Sequence, residues 1–184
     1  MKNKKLLLSL IVIFIIGVSL TITYFVVQHK ILYHLAVVED GKLYRSGTLS
    51  SLGLKWAKGI TGFKTIINVR SEKENRKSWH QKEAEFARGN NVKLIDIPMQ
   101  TDTPPTTEQI NQFKKIVNNP ENLPVIIHCH QGVTRTAMMV AVYEVAVRGK
   151  DNKKVYETIE TFNHSFDKPD KKEVKNFILN LKNN

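Results

Sequence analysis

Residues 6–27 contain no charged side chain, and no other stretch of the 184-residue chain is as long without one. As a helix, these 22 residues rise about 33 Å, enough to cross the hydrocarbon core of a bilayer. Ser9, Gly17, Ser19, Thr21 and Thr23 are the small or polar interruptions, which a membrane helix tolerates. A cleaved signal peptide has a shorter apolar stretch, about 7–15 residues, ending at a small-residue site. This run is longer and no such site follows it. The pattern predicts an uncleaved transmembrane anchor at 6–27, behind a basic stub at 1–5. Lys2, Lys4 and Lys5 precede the run and Lys30 follows it. The positive-inside rule then predicts a single-pass membrane protein with a cytoplasmic N-terminus and an extracytoplasmic body.

Beyond that run, residues 31–184 carry 24 Lys+Arg against 17 Asp+Glu. These 154 residues suffice for one domain with a real core. The whole chain has a formal charge of +11, which points to an anionic partner. The base is scattered and no aromatics interleave it, so no nucleic-acid partner is expected. Hydrophobic residues at 41% and charged residues at 24% exclude a mostly disordered chain. The single cysteine, Cys129, excludes a disulfide framework and a multi-Cys cluster. The histidines lack ligand spacing, so neither metal nor cofactor is expected.

Strand and helix patterns alternate after a connector at 28–39. Strands are predicted at 42–45, 64–70 (KTIINVR), 92–97 and 124–129 (PVIIHC). Helices are predicted at 51–58, 78–88, from Thr106 or Thr107 to 117, and at 134–148, 152–162 and 169–181. The expected fold class is α/β, a mainly parallel central sheet flanked by helices, over residues 40–184. Ligands of such sheets gather at the carboxyl ends of strands, which singles out the end at Cys129.

The segment there reads His128-Cys129-His130-Gln131-Gly132-Val133-Thr134-Arg135-Thr136. A tight loop between a strand and a helix aims backbone N–H groups at one point, and the helix N-terminus adds partial positive charge. That is an anion site suited to phosphate. Arg135 can add a planar fork to two phosphate oxygens. The same field lowers a thiol pKa, so Cys129 can be a thiolate placed for in-line attack on phosphorus. The loop residues His130, Gln131, Gly132, Val133, Thr134 and Arg135 are the candidate substrate-binding set.

This segment resembles the HCxxGxxR[ST] signature of the cysteine-dependent protein tyrosine phosphatase superfamily, through His128, Cys129, Gly132, Arg135 and Thr136. Residues 42–47 (KLYRSG) and 64–70 are similar to elements of its dual-specificity-like branch. The resemblance implies a membrane-anchored phosphatase working through a cysteinyl-phosphate intermediate. It implies that Arg135 binds phosphate and the transition state, that Thr136 stabilises the leaving thiolate and that His128 tunes it. It also implies a general-acid Asp on a loop roughly 30 residues before the cysteine. Asp102 lies in a loop before Pro104 and Pro105 and is preferred; Asp96, inside a strand, is the runner-up.

Phosphotyrosine or mixed phosphoprotein substrates lead. Phosphoinositides or inositol phosphates come second, because the loop lacks the lysines that such enzymes of the family often carry. Two other classes compete: a catalytically silent phosphate-binding module and a rhodanese-like sulfurtransferase. Arg45, Ser46 and Arg70 could support the loop or merely end strands, and Trp79 is read as packing.

Overall fold

The computed structural model describes residues 2–182, with backbone alone at 2, 3, 5–9, 28 and 29. Met1 of the expected stub and residues 183–184 of the expected body lie outside the described residues, as do the side chains of Lys2 and Lys5.

Among the described residues, five strands form one sheet in the order β1-β2-β5-β3-β4. They are β1 Ala36–Glu39, β2 Leu43–Ser46, β3 Thr65–Asn68, β4 Lys93–Asp96 and β5 Val125–His128. β1 pairs antiparallel with β2, and the remaining pairs are parallel. The helices are α1 Lys2–Val26, α2 Ser51–Thr61, α3 Glu72–Asn75, α4 Ser78–Gly89, α5 Thr107–Val117, α6 Thr134–Val142, α7 Asn152–Thr158 and α8 Lys172–Leu179. The α/β reading with a mainly parallel sheet therefore holds.

The central strand β5 is buried at all four positions between β2 and β3, which explains its unbroken apolar run. Side chains alternate across the sheet. Leu43, Ile67, Val125 and Ile127 join Met138 and Met139 of α6 in one core cluster. Tyr44, Ile66 and Ile126 join Leu54 and Ala57 of α2 and Ala87 of α4 in the other. The same alternation places Cys129 with the α6 cluster and sends His128 to the opposite face. Thr106 and Gln109 form a capping box at the start of α5, the stronger of the two caps foreseen.

The N-terminal expectation is corrected. Among the described residues, no helix is long and apolar enough to cross a membrane. Over its fully described residues, 10–26, α1 carries Gly17, Ser19, Thr21 and Thr23 among its apolar side chains. Within it, the hydroxyls of Thr21 and Thr23 donate to the carbonyls of Gly17 and Ser19, each at 2.9 Å. A count of uncharged residues alone therefore does not establish a span. The transmembrane helix is not supported, nor is the single-pass topology with its cytoplasmic and extracytoplasmic sides.

Candidate active site

The chain leaves β5 at His128, turns through residues 129–133 and enters α6 at Thr134. Four successive carbonyls of this turn are caught from outside. The Thr48 hydroxyl donates to Cys129 O at 3.0 Å, and Thr48 N–H donates to His130 O at 3.0 Å. His34 Nδ1 lies 2.7 Å from Gln131 O. Arg45 Nη2 donates to Gly132 O at 2.6 Å. In a trans peptide the C=O and the following N–H point in opposite directions. Holding these carbonyls outward therefore turns the N–H groups of residues 130–133 inward. The Gly132 N–H indeed meets Cys129 Sγ at 3.2 Å. The result is a concave nest of donors around one anion-sized point.

Gly132 is required twice over. Its φ is +74°, and a Cβ would lie 2.3 Å from Ser46 O and 2.6 Å from Gly47 N. The loop packs directly onto the end of β2, where no side chain fits.

Cys129 is buried at 3% exposure. Burial pushes its thiol pKa up, but the Thr136 hydroxyl, the Arg135 charge and the N–H groups of Thr136 and Gly132 together pull it below the ordinary thiol value. The Thr136 hydroxyl is buried and has no other hydrogen-bond partner among the described residues, so its proton is free to turn to the sulfur.

Arg135 is 4% exposed and gripped as a fork by Glu74. Nη1 donates to Oε2 at 2.5 Å and Nη2 to Oε1 at 3.3 Å. Burial works against a charged Glu74, but Arg135 and the Ser71 backbone and hydroxyl hold its pKa far below the usual carboxylate range. Ser71 and Glu74 are the reciprocal capping box of α3. Arg70 Nε also donates to Glu74 at 3.1 Å, and its Nη1 donates to the Thr48 hydroxyl at 2.9 Å. The Arg70 guanidinium lies 3.9 Å from the Trp79 ring centre, and Trp79 Nε1 donates to Glu74 O at 3.1 Å. Trp79 is therefore more than packing: it backs the pair of residues that set Arg135 and Thr48.

Behind the turn, His128 Nε2 lies 3.0 Å from Glu83 Oε1, both almost fully buried. Burial opposes a charged imidazole, but the Glu83 carboxylate raises the His128 pKa on balance. His128 sits on the face opposite Cys129 and reaches the loop through Nδ1, 3.2 Å from Cys129 O.

The other expected residues are placed as follows. Gly132 and Val133 are buried and Thr134 is half-buried, so these line the turn mainly with backbone. His130 and Gln131 are exposed at its rim. Burial, then the charges of Arg70 and Arg135, lower the His130 pKa. Asp102 occupies the loop between β4 and α5 at φ +59° and accepts from Lys171 Nζ. Asp96 ends β4, where it accepts from Asn68 Nδ2 at 2.7 Å and lies 3.1 Å from His80 Nε2. The turn thus gathers Cys129, Arg135 and Thr136 closely, while both carboxylate candidates are engaged with other partners. Among the described residues, no cluster of three or more His, Cys, Asp or Glu is placed to hold a metal ion.

A family model described as a DSP-PTPase phosphatase fused to NAD+ kinase matches residues 27–178. The chain belongs to this PTP-NADK family. It is thereby a member of the dual-specificity-like protein tyrosine phosphatase superfamily. It is 30% identical over 98 residues to chloroplastic NAD kinase 2 of Arabidopsis thaliana, covering 53% of this chain and 10% of that protein. The chain thus spans about a tenth of the length of such relatives. The core catalytic domain of the PP-IP phosphatase SIW14 from S. cerevisiae shares the fold, with TM-score 0.63 at 18% identity, over 77% of this chain and 83% of that one. TpbA from P. aeruginosa does so with TM-score 0.60 at 17% identity, over 79% and 89%.

In this PTP-NADK member, sequence reasoning missed His34, Thr48, Glu74 and Glu83. Glu74 had a signal, the Ser71-x-x-Glu74 spacing of a capping box directly after a strand. Glu83 and Thr48 had none stronger than their helix and turn positions.

Proposed function

We propose that this chain hydrolyses phosphate monoesters through a cysteinyl-phosphate intermediate. The observation that carries the reading is the Gly132 N–H at 3.2 Å from Cys129 Sγ, inside a ring of donors that also draws the thiol pKa down. Donors fixed in a water-poor site stabilise developing charge without reorganising.

In the first step the Cys129 thiolate attacks phosphorus opposite the leaving oxygen. The P–O bond breaks as the S–P bond forms, and Asp102 delivers a proton to the departing alkoxide or phenoxide. Arg135 binds two equatorial oxygens through its remaining edge, Nε and one Nη, while Glu74 holds the Nη1–Nη2 edge and so pre-sets the guanidinium plane. Asp102 must leave Lys171 to face the substrate, and its loop position permits this more readily than the strand end permits Asp96. In the second step the Asp102 carboxylate takes a proton from water, which attacks phosphorus. The S–P bond breaks, and the Thr136 hydroxyl stabilises the returning thiolate.

The preferred substrates are phosphotyrosine and mixed phosphoproteins. TpbA has been captured in complex with pTyr on this fold. A second reading, inositol phosphates or phosphoinositides, gains from the positive charges of Arg70, Arg135 and Lys77 felt at His130. The fold neighbour SIW14 is a PP-IP phosphatase.

The test is hydrolysis of p-nitrophenyl phosphate by the full chain and by Cys129→Ser. A panel of phosphotyrosine peptides, phosphoserine peptides and inositol phosphates follows. Turnover that survives Cys129→Ser overturns the thiolate mechanism. Preference for the inositol phosphates reverses the order of the two substrate classes.

A further inference from the structure

Three of the four carbonyl contacts that shape the phosphate turn come from residues 45–48, at the end of β2 and just after it. The fourth comes from His34, 97 positions from its acceptor Gln131 and before β1. A carbonyl only accepts, so Nδ1 of His34 must carry the proton. The peptide it holds is the one whose N–H, that of Gly132, points at the Cys129 sulfur.

His34 is itself firmly seated. Its ring stacks on Tyr33, centroids 4.3 Å apart, and on Phe162, 4.2 Å apart and within 5° of parallel. Tyr33 is tied down in turn: its carbonyl accepts from Gly47 N–H at 2.8 Å, and its ring fills the space where a Gly47 Cβ would be. Phe162 lies 5.3 Å from the guanidinium of Arg45, the residue that holds the next carbonyl. His34, Phe162 and Asn163 all have positive φ, at 55°, 52° and 66°. Asn and His tolerate such backbone better than most residues, but for a bulky residue such as Phe162 it persists only where the surroundings enforce it.

We infer that His34 is a positioning residue for the nucleophile. Through the Gln131 carbonyl it aims the Gly132 N–H at Cys129, and the Tyr33–His34–Phe162 stack fixes the imidazole that does so. The inference rests on the phosphatase reading above. It assigns the segment before β1 and the loop after α7 a shared part in setting the phosphate turn.

The test compares His34→Phe, which keeps a stacking ring without the donor, with His34→Asn, which keeps a donor near Nδ1. His34→Leu replaces the Phe variant should that one not fold, and thermal melting confirms folding. Two readouts apply to the full-length chain: the pH midpoint of iodoacetamide alkylation of Cys129, and kcat and KM for p-nitrophenyl phosphate. Removing an anion-site donor outright costs about 10²–10³ in kcat. Disorienting one is expected to cost less, about tenfold in kcat, with KM changed less than about twofold. The alkylation midpoint moves up by roughly half a unit or more, because a donor to the thiolate is lost. His34→Asn restores both. An unmoved midpoint in the donor-free variant overturns the inference, as does equal impairment of the Asn and Phe variants. The alkylation midpoint is readable without turnover. A chain that titrates as expected but hydrolyses nothing therefore sinks the phosphatase reading and leaves the His34 inference standing.

Discussion

On the inner side of the phosphate turn, the groups that act on the sulfur come from residues 129–136: the Gly132 and Thr136 N–H groups, the Thr136 hydroxyl and Arg135. On the outer side, the groups that hold the same turn come from His34, Arg45 and Thr48, with Glu74 on Arg135 and Glu83 on His128. The inner set is local because the chemistry needs one strand-turn-helix to point its donors inward. The outer set is distant because a carbonyl can be caught by any donor the fold brings to it. The turn's shape is thus a property of the whole domain, whereas the donors at the sulfur come from eight consecutive residues.

Inner-side losses are expected to be largest. Cys129→Ser removes the proposed nucleophile and is expected to lower kcat by about 10⁴-fold or more. Arg135→Lys keeps charge but loses the planar fork, and a fall of about 10²–10³ in kcat/KM is expected from steady-state kinetics.

The proposed proton donor comes next. Asp102→Asn is expected to lower kcat about 10²-fold on an alkyl phosphate, whose leaving group needs a proton, and less on p-nitrophenyl phosphate. Asp96→Asn is expected to fall short of both effects. The reverse order would transfer the acid role to Asp96.

Outer-side losses are expected to be smaller. Thr48→Val removes the hydroxyl that bridges Arg70 and Cys129 O while keeping the Thr48 N–H contact. A loss of about tenfold in kcat is expected, with the alkylation midpoint of Cys129 shifted upward. A loss as large as that of Arg135→Lys would erase the distinction between the two sides.

The smallest effect lies in stability. The folded-state pKa of His128 is raised above 6.5 by Glu83, despite burial. Its contribution is fully present below that value and is lost as pH rises through the raised pKa. The melting temperature of the native chain should therefore fall across that window, and Glu83→Gln should flatten the fall. An unchanged slope would remove the charged pair from the account.

Much of the fold was legible because its signals are local. The β-branched runs at 64–70 and 124–129 became β3 and β5, and the apolar stretch after Gly132 became α6. β1 was read as part of the connector: Ala36–Glu39 is a four-residue edge strand with an exposed Val37, too short and too little buried to show a period. The run at 6–27 misled in the other direction, since absence of charge does not by itself make a span. In the site, the gathering of Cys129, Arg135 and Thr136 around one turn was readable because their spacing puts them on one strand-turn-helix. Glu74 was half readable from its cap, and His34 was invisible, since nothing in Tyr33-His34-Leu35 announces a contact with Gln131.

The central claim is that the Cys129 sulfur becomes phosphorylated during turnover. Acid quenching of the full chain during steady hydrolysis of p-nitrophenyl phosphate, followed by peptide mass analysis, tests it most directly. The account predicts one phosphoryl group on the peptide containing Cys129, sensitive to thiol-phosphate hydrolysis and missing in Cys129→Ser. A phosphoryl group on His130 or another side chain, or steady turnover with none captured on Cys129, would contradict it.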